Sequence, residues 1–190
     1  MERLRALSYA PESRSRVPLM IRRAAAGDLA ELLAKRPPTG ASMIADGMFL
    51  AVTCGESFPL MDYAAAAAAA RRTPFGDYRL RRQKAACVAW PAVERDPDHM
   101  ELPSRSTAAV LLISGGMDPV TPPEYAEQVT RRLRKARHVV LPDGGHIPDG
   151  LAGLETCLDP LIIGFLDHGD LDRLDVSCVT GMKRPPYALQ

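Results

Sequence analysis

From Pro18 to Arg36 the apolar positions recur at helical spacing, with one interruption at Gly27-Asp28. Asp28 and Glu31 stand as the first and last members of a capping box for a second helix over Leu29, Leu32 and Leu33, so the segment reads as a helical hairpin. Pro37-Pro38-Thr39-Gly40 ends it. Met48-Phe49-Leu50-Ala51-Val52-Thr53-Cys54 is a short apolar run and predicts a buried strand. Two helices are expected next, Leu60 to Arg72 and Tyr78 to Cys87. The first contains the alanine run Ala64–Ala70, a strong helix former without chemistry. The polar stretch around Asp96-Pro97-Asp98 predicts a surface connection.

Ala108-Ala109-Val110-Leu111-Leu112-Ile113 is continuously apolar, the pattern of a parallel strand covered on both faces. Thr121-Pro122-Pro123-Glu124 reads as a helix start, with Thr121 as N-cap, proline at the first position and Glu124 at the third. That helix is expected to reach about Lys135, with Arg131, Arg132, Arg134 and Lys135 at the carboxyl end of its dipole. His138 to Leu141 predicts another strand, and Leu154 to Leu166 a last amphipathic helix. Alternating strands and helices define an α/β chain with a parallel sheet and right-handed crossovers. There is no internal repeat and no linker-bounded domain.

Composition adds exclusions. The chain has 190 residues, 46% hydrophobic and 25% charged, with a net charge of +1. It is long enough to bury a core, and its charge balance gives no electrostatic case for nucleic acid or an anionic membrane as partner. No segment reaches the ~18 apolar residues of a membrane-spanning helix. The start, Met1-Glu2-Arg3-Leu4-Arg5, shows no export signal. Cys54, Cys87, Cys157 and Cys178 could form two disulfides in any of three pairings, or remain buried thiols. Without a close CxxC spacing they suggest neither a zinc site nor a redox motif, and the sequence implies no cofactor or metal.

The candidate chemistry lies at the two strand ends. Ser114-Gly115-Gly116-Met117-Asp118 follows one predicted strand and Gly144-Gly145-His146 the next, so an acid and an imidazole are delivered to the carboxyl ends of strands, where open α/β sheets build sites. An acid followed one strand-helix-strand unit later by a histidine matches the second and third members of the Ser…Asp/Glu…His order. The competing reading makes Asp118 a turn residue before Pro119 and His146 an ordinary loop histidine. His99 and His168 fall in polar segments, His138 opens a strand, and Asp143 reads as a turn residue. No GxSxG occurs. Its nearest approach, Gly55-Glu56-Ser57-Phe58-Pro59, replaces the last glycine with proline, and Ser114 is too close to Asp118 in sequence to complete a triad.

Five stretches in order carry a family resemblance: Ala51-Val52-Thr53-Cys54-Gly55-Glu56, Cys87-Val88-Ala89-Trp90-Pro91, Gly116-Met117-Asp118-Pro119-Val120-Thr121-Pro122, Gly144-Gly145-His146 and Asp175-Val176-Ser177-Cys178. From Pro18 to Cys178 the chain resembles the carboxyl-terminal region of the tripeptidyl-aminopeptidase-like α/β-hydrolases, serine peptidases related to prolyl aminopeptidases. The resemblance implies the last three parallel strands of an eight-stranded hydrolase fold. Residues 1–47 would be the end of a helical cap and 48–190 the carboxyl-terminal part of the hydrolase domain. Asp118 would be the triad acid, His146 the base, and Glu56 a partner for the free amino group of a peptide substrate. It also implies export and the pairings Cys157 with Cys178 and Cys54 with Cys87. The nucleophile and oxyanion hole would lie outside these residues, so the chain alone is expected to be inactive. A strand at Met48–Cys54 without its neighbour would present an apolar edge open to self-association. The alternatives are a truncated, non-catalytic relative acting as a binding or interaction module, a gene fragment, and a small α/β binding domain unrelated to hydrolases.

Overall fold

The computed structural model describes residues 2–33, 45–91 and 106–189. The chain divides into two compact units, one formed by Met1–Ala34 with Leu102–Gln190 and the other by Lys35–Glu101. The second unit is therefore an insertion, in sequence, between the two parts of the first.

The first unit holds helices α1 (Glu2–Leu7), α2 (Pro11–Ser15), α3 (Val17–Ala25) and α4 (Ala30–Leu33). The interruption expected at Gly27 is present, with Gly27 at φ +92°. Asp28 caps the turn by accepting from the Ala30 N–H at 3.0 Å. Glu31 does not complete the capping box; its carboxylate instead pairs with Arg16 and Arg23, because two guanidiniums within reach outcompete one backbone N–H.

Strands β1 (Val110–Gly115) and β2 (Ala136–Leu141) pair in parallel, from Val110 opposite Ala136 to Gly115 opposite Leu141. Helix α8 (Pro123–Thr130) connects them and packs on both. Alternation places Leu111 and Ile113 of β1 beside Val139 and Leu141 of β2 on one core. Leu151, Leu158, Leu161, Val179 and Met182 close that core, with Met182 only 1% exposed. The last helix begins as a π-turn at Leu154–Leu158 and continues as α9 (Asp159–His168). A disulfide between Cys157 and Cys178 ties this π-turn to the 3₁₀ turn Ser177–Gly181.

The second unit is helical: α5 (Asp46–Val52), a π-turn at Thr53–Ser57, a 3₁₀ turn at Phe58–Leu60, α6 (Tyr63–Ala70) and α7 (Tyr78–Ala89). Asp62 caps α6 by accepting from the Ala65 N–H at 2.9 Å, and the alanine run supplies the helix. The disulfide between Cys54 and Cys87 fastens the π-turn to α7.

Two expectations are corrected here. The run Met48–Cys54 is helix continuing into the π-turn, so the sheet among the described residues has two strands rather than three. An unbroken apolar run carries neither a twofold nor a 3.6-residue period, and Met, Phe, Leu and Ala all accept a helix. With no strand beside it among the described residues of its unit, the segment satisfies its backbone locally. The unpaired edge expected there does not exist. Second, α8 starts at Pro123 and stops at Thr130, short of Lys135, and Thr121 does not cap it. Ser57, already set aside as a nucleophile, sits in right-handed helical geometry, φ −84° and ψ −46°, after a helix. A nucleophile elbow needs a strained turn after a strand. The Pro37–Gly40 break, the Asp96–Asp98 connection and His99 lie outside the described residues.

Candidate active site

The acid loop leaves β1 at Gly115 and is bonded at once to the imidazole loop. Gly116 N–H donates to the Leu141 carbonyl at 2.8 Å and Met117 N–H to the Gly144 carbonyl at 2.9 Å. The loops pack so closely that a Cβ on Gly115 would lie 2.2 Å from the Gly145 carbonyl oxygen. Glycine is required there for proximity rather than for an unusual φ.

Asp118 lies at the end of this loop and is 9% exposed. Its Oδ1 accepts from the N–H groups of Val120 at 2.7 Å and Thr121 at 3.0 Å. Its Oδ2 accepts from the Thr121 hydroxyl at 2.7 Å and faces His146 Nδ1 at 3.0 Å. Burial pushes the carboxyl upward. The hydrogen bonds from Thr121, Val120 and His146 together outweigh it and hold the carboxyl at about 2. Asp118 is thus a fixed anion at neutral pH, aimed at the imidazole.

His146 follows β2 through Gly144 and Gly145, and its side chain is about one-third exposed, at 34%. The segment Tyr9–Ser15 holds this loop from the other side. Ile147 N–H donates to the Tyr9 carbonyl at 3.0 Å and Glu12 N–H to the Asp149 carbonyl at 3.1 Å. The Tyr9 ring meets the His146 ring edge to face, with centroids 5.3 Å apart. Arg14 donates to the carbonyls of Met117 at 2.8 Å and Asp143 at 3.3 Å, so one guanidinium spans both loops. Its buried Nε has no hydrogen-bond partner among the described residues.

A cleft of about 420 Å³ opens on this pair and is lined by Ser114, Asp118, Thr121, Tyr125, His146 and Leu158, among others. A larger cleft, about 750 Å³, lies at the amino ends of the strands among Ala109, Lys135, Ala136 and Arg137. Its lining includes Asp170, Asp172 and Lys135 but no serine, cysteine or histidine, so the smaller cleft is the one in which a carboxylate faces an imidazole.

The remaining candidates are placed elsewhere. Glu56 is half-buried on the π-turn of the second unit. Asp143 accepts from the Arg184 N–H at 3.2 Å, which secures the carboxyl-terminal tail. His138 Nε2 lies 3.0 Å from Ser114 Oγ across the strand pair. His168 ends α9. Sequence reasoning missed three residues of the site. Thr121 had a local signal, a hydroxyl three positions after an aspartate, but it was spent on the helix cap. Tyr9 and Arg14 had none, since Arg14 is 103 positions from Met117.

Parallel strands that deliver a buried aspartate and a histidine to adjoining carboxyl ends define an α/β protein with an acid–imidazole site. The TAP-like protein family, a family of α/β-hydrolases, matches residues 71–178, which include both side chains. The chain belongs to this family, and membership supports a hydrolase-type function. No curated protein and no solved structure gives a significant match. No described helix is long and apolar enough to cross a membrane.

Proposed function

We propose that this chain supplies the acid and base of a serine hydrolase, an exported aminopeptidase that releases short peptides or single residues from peptide amino termini. The observation that carries the reading is the 3.0 Å approach of His146 Nδ1 to an Asp118 carboxylate already held by three further donors. In that arrangement Asp118 orients the ring and stabilises the imidazolium, while Nε2 takes the proton of an attacking serine and returns it to the leaving amine. The serine and its oxyanion donors come from residues outside this sequence, since the 190 residues contain no GxSxG. The family resemblance supports Glu56 as the residue facing the substrate's ammonium group, a carboxylate being its natural partner. The two disulfides support an oxidising compartment.

The test is labelling of the complete enzyme, this chain together with the segment bearing the nucleophile, by an active-site phosphonate. His146→Ala should slow labelling by at least about 10³-fold. Labelling at the wild-type rate would move the base elsewhere. Labelling of no serine in either protein would favour the second reading, a non-catalytic relative that binds without cleaving, for which the missing GxSxG is the supporting fact.

A further inference from the structure

Three polar atoms close a triangle where the two loops meet. Thr121 Oγ1 is 2.7 Å from Asp118 Oδ2 and 3.2 Å from His146 Nδ1, and Nδ1 is 3.0 Å from Oδ2. The hydroxyl has one proton to give, and the carboxylate is the stronger acceptor, so the proton goes to Oδ2. A lone pair of Oγ1 is then left facing Nδ1. With two electron-rich oxygens against it, Nδ1 is the ring nitrogen that carries the proton. A bare Nδ1 would set its own lone pair against an anion.

The hydroxyl is held in place by the chain around it. Thr121 N–H and Val120 N–H both donate to Oδ1, so backbone and side chain of the same threonine grip both oxygens of the carboxylate. Pro122 and Pro123 follow directly, and their rings fix φ where the chain turns into α8. The β-branched side chain has few rotamers to choose from.

We propose that Thr121 is a positioning residue: its hydroxyl aims the Asp118 carboxylate and holds the neutral His146 ring as its Nδ1–H tautomer, leaving Nε2 as the basic nitrogen. Its catalytic consequence rests on the hydrolase reading above, but the tautomer itself does not. Thr121 touches no reacting atom and acts through Asp118 and His146.

The experiment is ¹⁵N NMR of the His146 ring in the full chain at a pH where the ring is neutral. The wild-type ring should be mainly Nδ1–H. In Thr121→Val, which keeps the shape and removes the hydroxyl, the ratio of Nδ1–H to Nε2–H should fall about fivefold, the weight of one ordinary hydrogen bond. Thr121→Ser should restore it. Thr121→Ala, less demanding on the loop, carries the same expectation should the valine variant not fold. An unchanged ratio in the variants lacking the hydroxyl, or a wild-type ring that is mainly Nε2–H, overturns the proposal. Neither outcome depends on a nucleophile, so failure here is distinct from failure of phosphonate labelling.

Discussion

At the scale of single residues the chemistry rests on one carboxylate. Asp118 is held at about 2, below its ordinary 3.8. A carboxyl whose folded value is depressed adds stability above its unfolded value and loses it as pH falls through the folded one. The contribution of Asp118 should therefore be complete above about 4 and vanish toward 2, worth about 2 kcal/mol in all. Denaturant titrations of wild type and Asp118→Asn at stepped pH check this, since the variant should lose its share of the slope in that interval. In the complete enzyme the same substitution should cost about 10⁴-fold in kcat, because an amide can stabilise the wrong imidazole tautomer. Activity within tenfold of wild type would show that the reaction does not use this pair.

At the scale of elements, the site is two loops clasped by the segment Tyr9–Ser15. A Cβ on Gly145 would lie 2.2 Å from the Tyr9 carbonyl oxygen. Gly145→Ala should destabilise the first unit by about 1–3 kcal/mol, because backbone on both sides must shift. The denaturation midpoint reads this directly, and an unchanged midpoint would mean the clasp has slack. Much of this level was legible in the sequence. β1 and β2 could be located because each contains an apolar run, Val110–Ile113 and Val139–Leu141, with a glycine-bearing loop after it, and their spacing already brought Asp118 and His146 to the same end of the sheet. Met48–Cys54 reads as a strand but is helix, since its apolar run fits either element and no strand lies beside it among the described residues. Thr121 was misplaced for a related reason: Thr-Pro-Pro-Glu is a helix-start pattern, but the nearby charged carboxylate is the better partner for its hydroxyl. Tyr9 and Arg14 were invisible because no local pattern encodes a contact made across a hundred residues.

At the scale of the whole molecule, each unit carries its own covalent tie. Cys157–Cys178 closes 21 positions in the first unit and Cys54–Cys87 closes 33 in the second. Loops of this length are worth about 3 to 4 kcal/mol each, the longer one slightly more. Replacing Cys157 and Cys178 by serine should raise hydrogen exchange in β1, β2 and α9 while leaving α6 and α7 protected, and the Cys54/Cys87 pair should do the reverse. Uniform loss of protection from either change would show that the units open together.

The insertion of Lys35–Glu101 between two parts of one unit has a further meaning. Arg14 and its partners close a ring of chain around that whole insert, and the entropy of closing a ring rises only as the logarithm of its length: doubling it costs about 0.6 kcal/mol. The segment between the ends of the clasp is thus free to vary in length at little cost to the acid and imidazole. Glu56, which we propose as the partner of a substrate's ammonium group, lies within it. Changes of length in the insert would then act on the segment that bears Glu56 and leave the acid–imidazole pair in place, a division of labour written into the order of the chain.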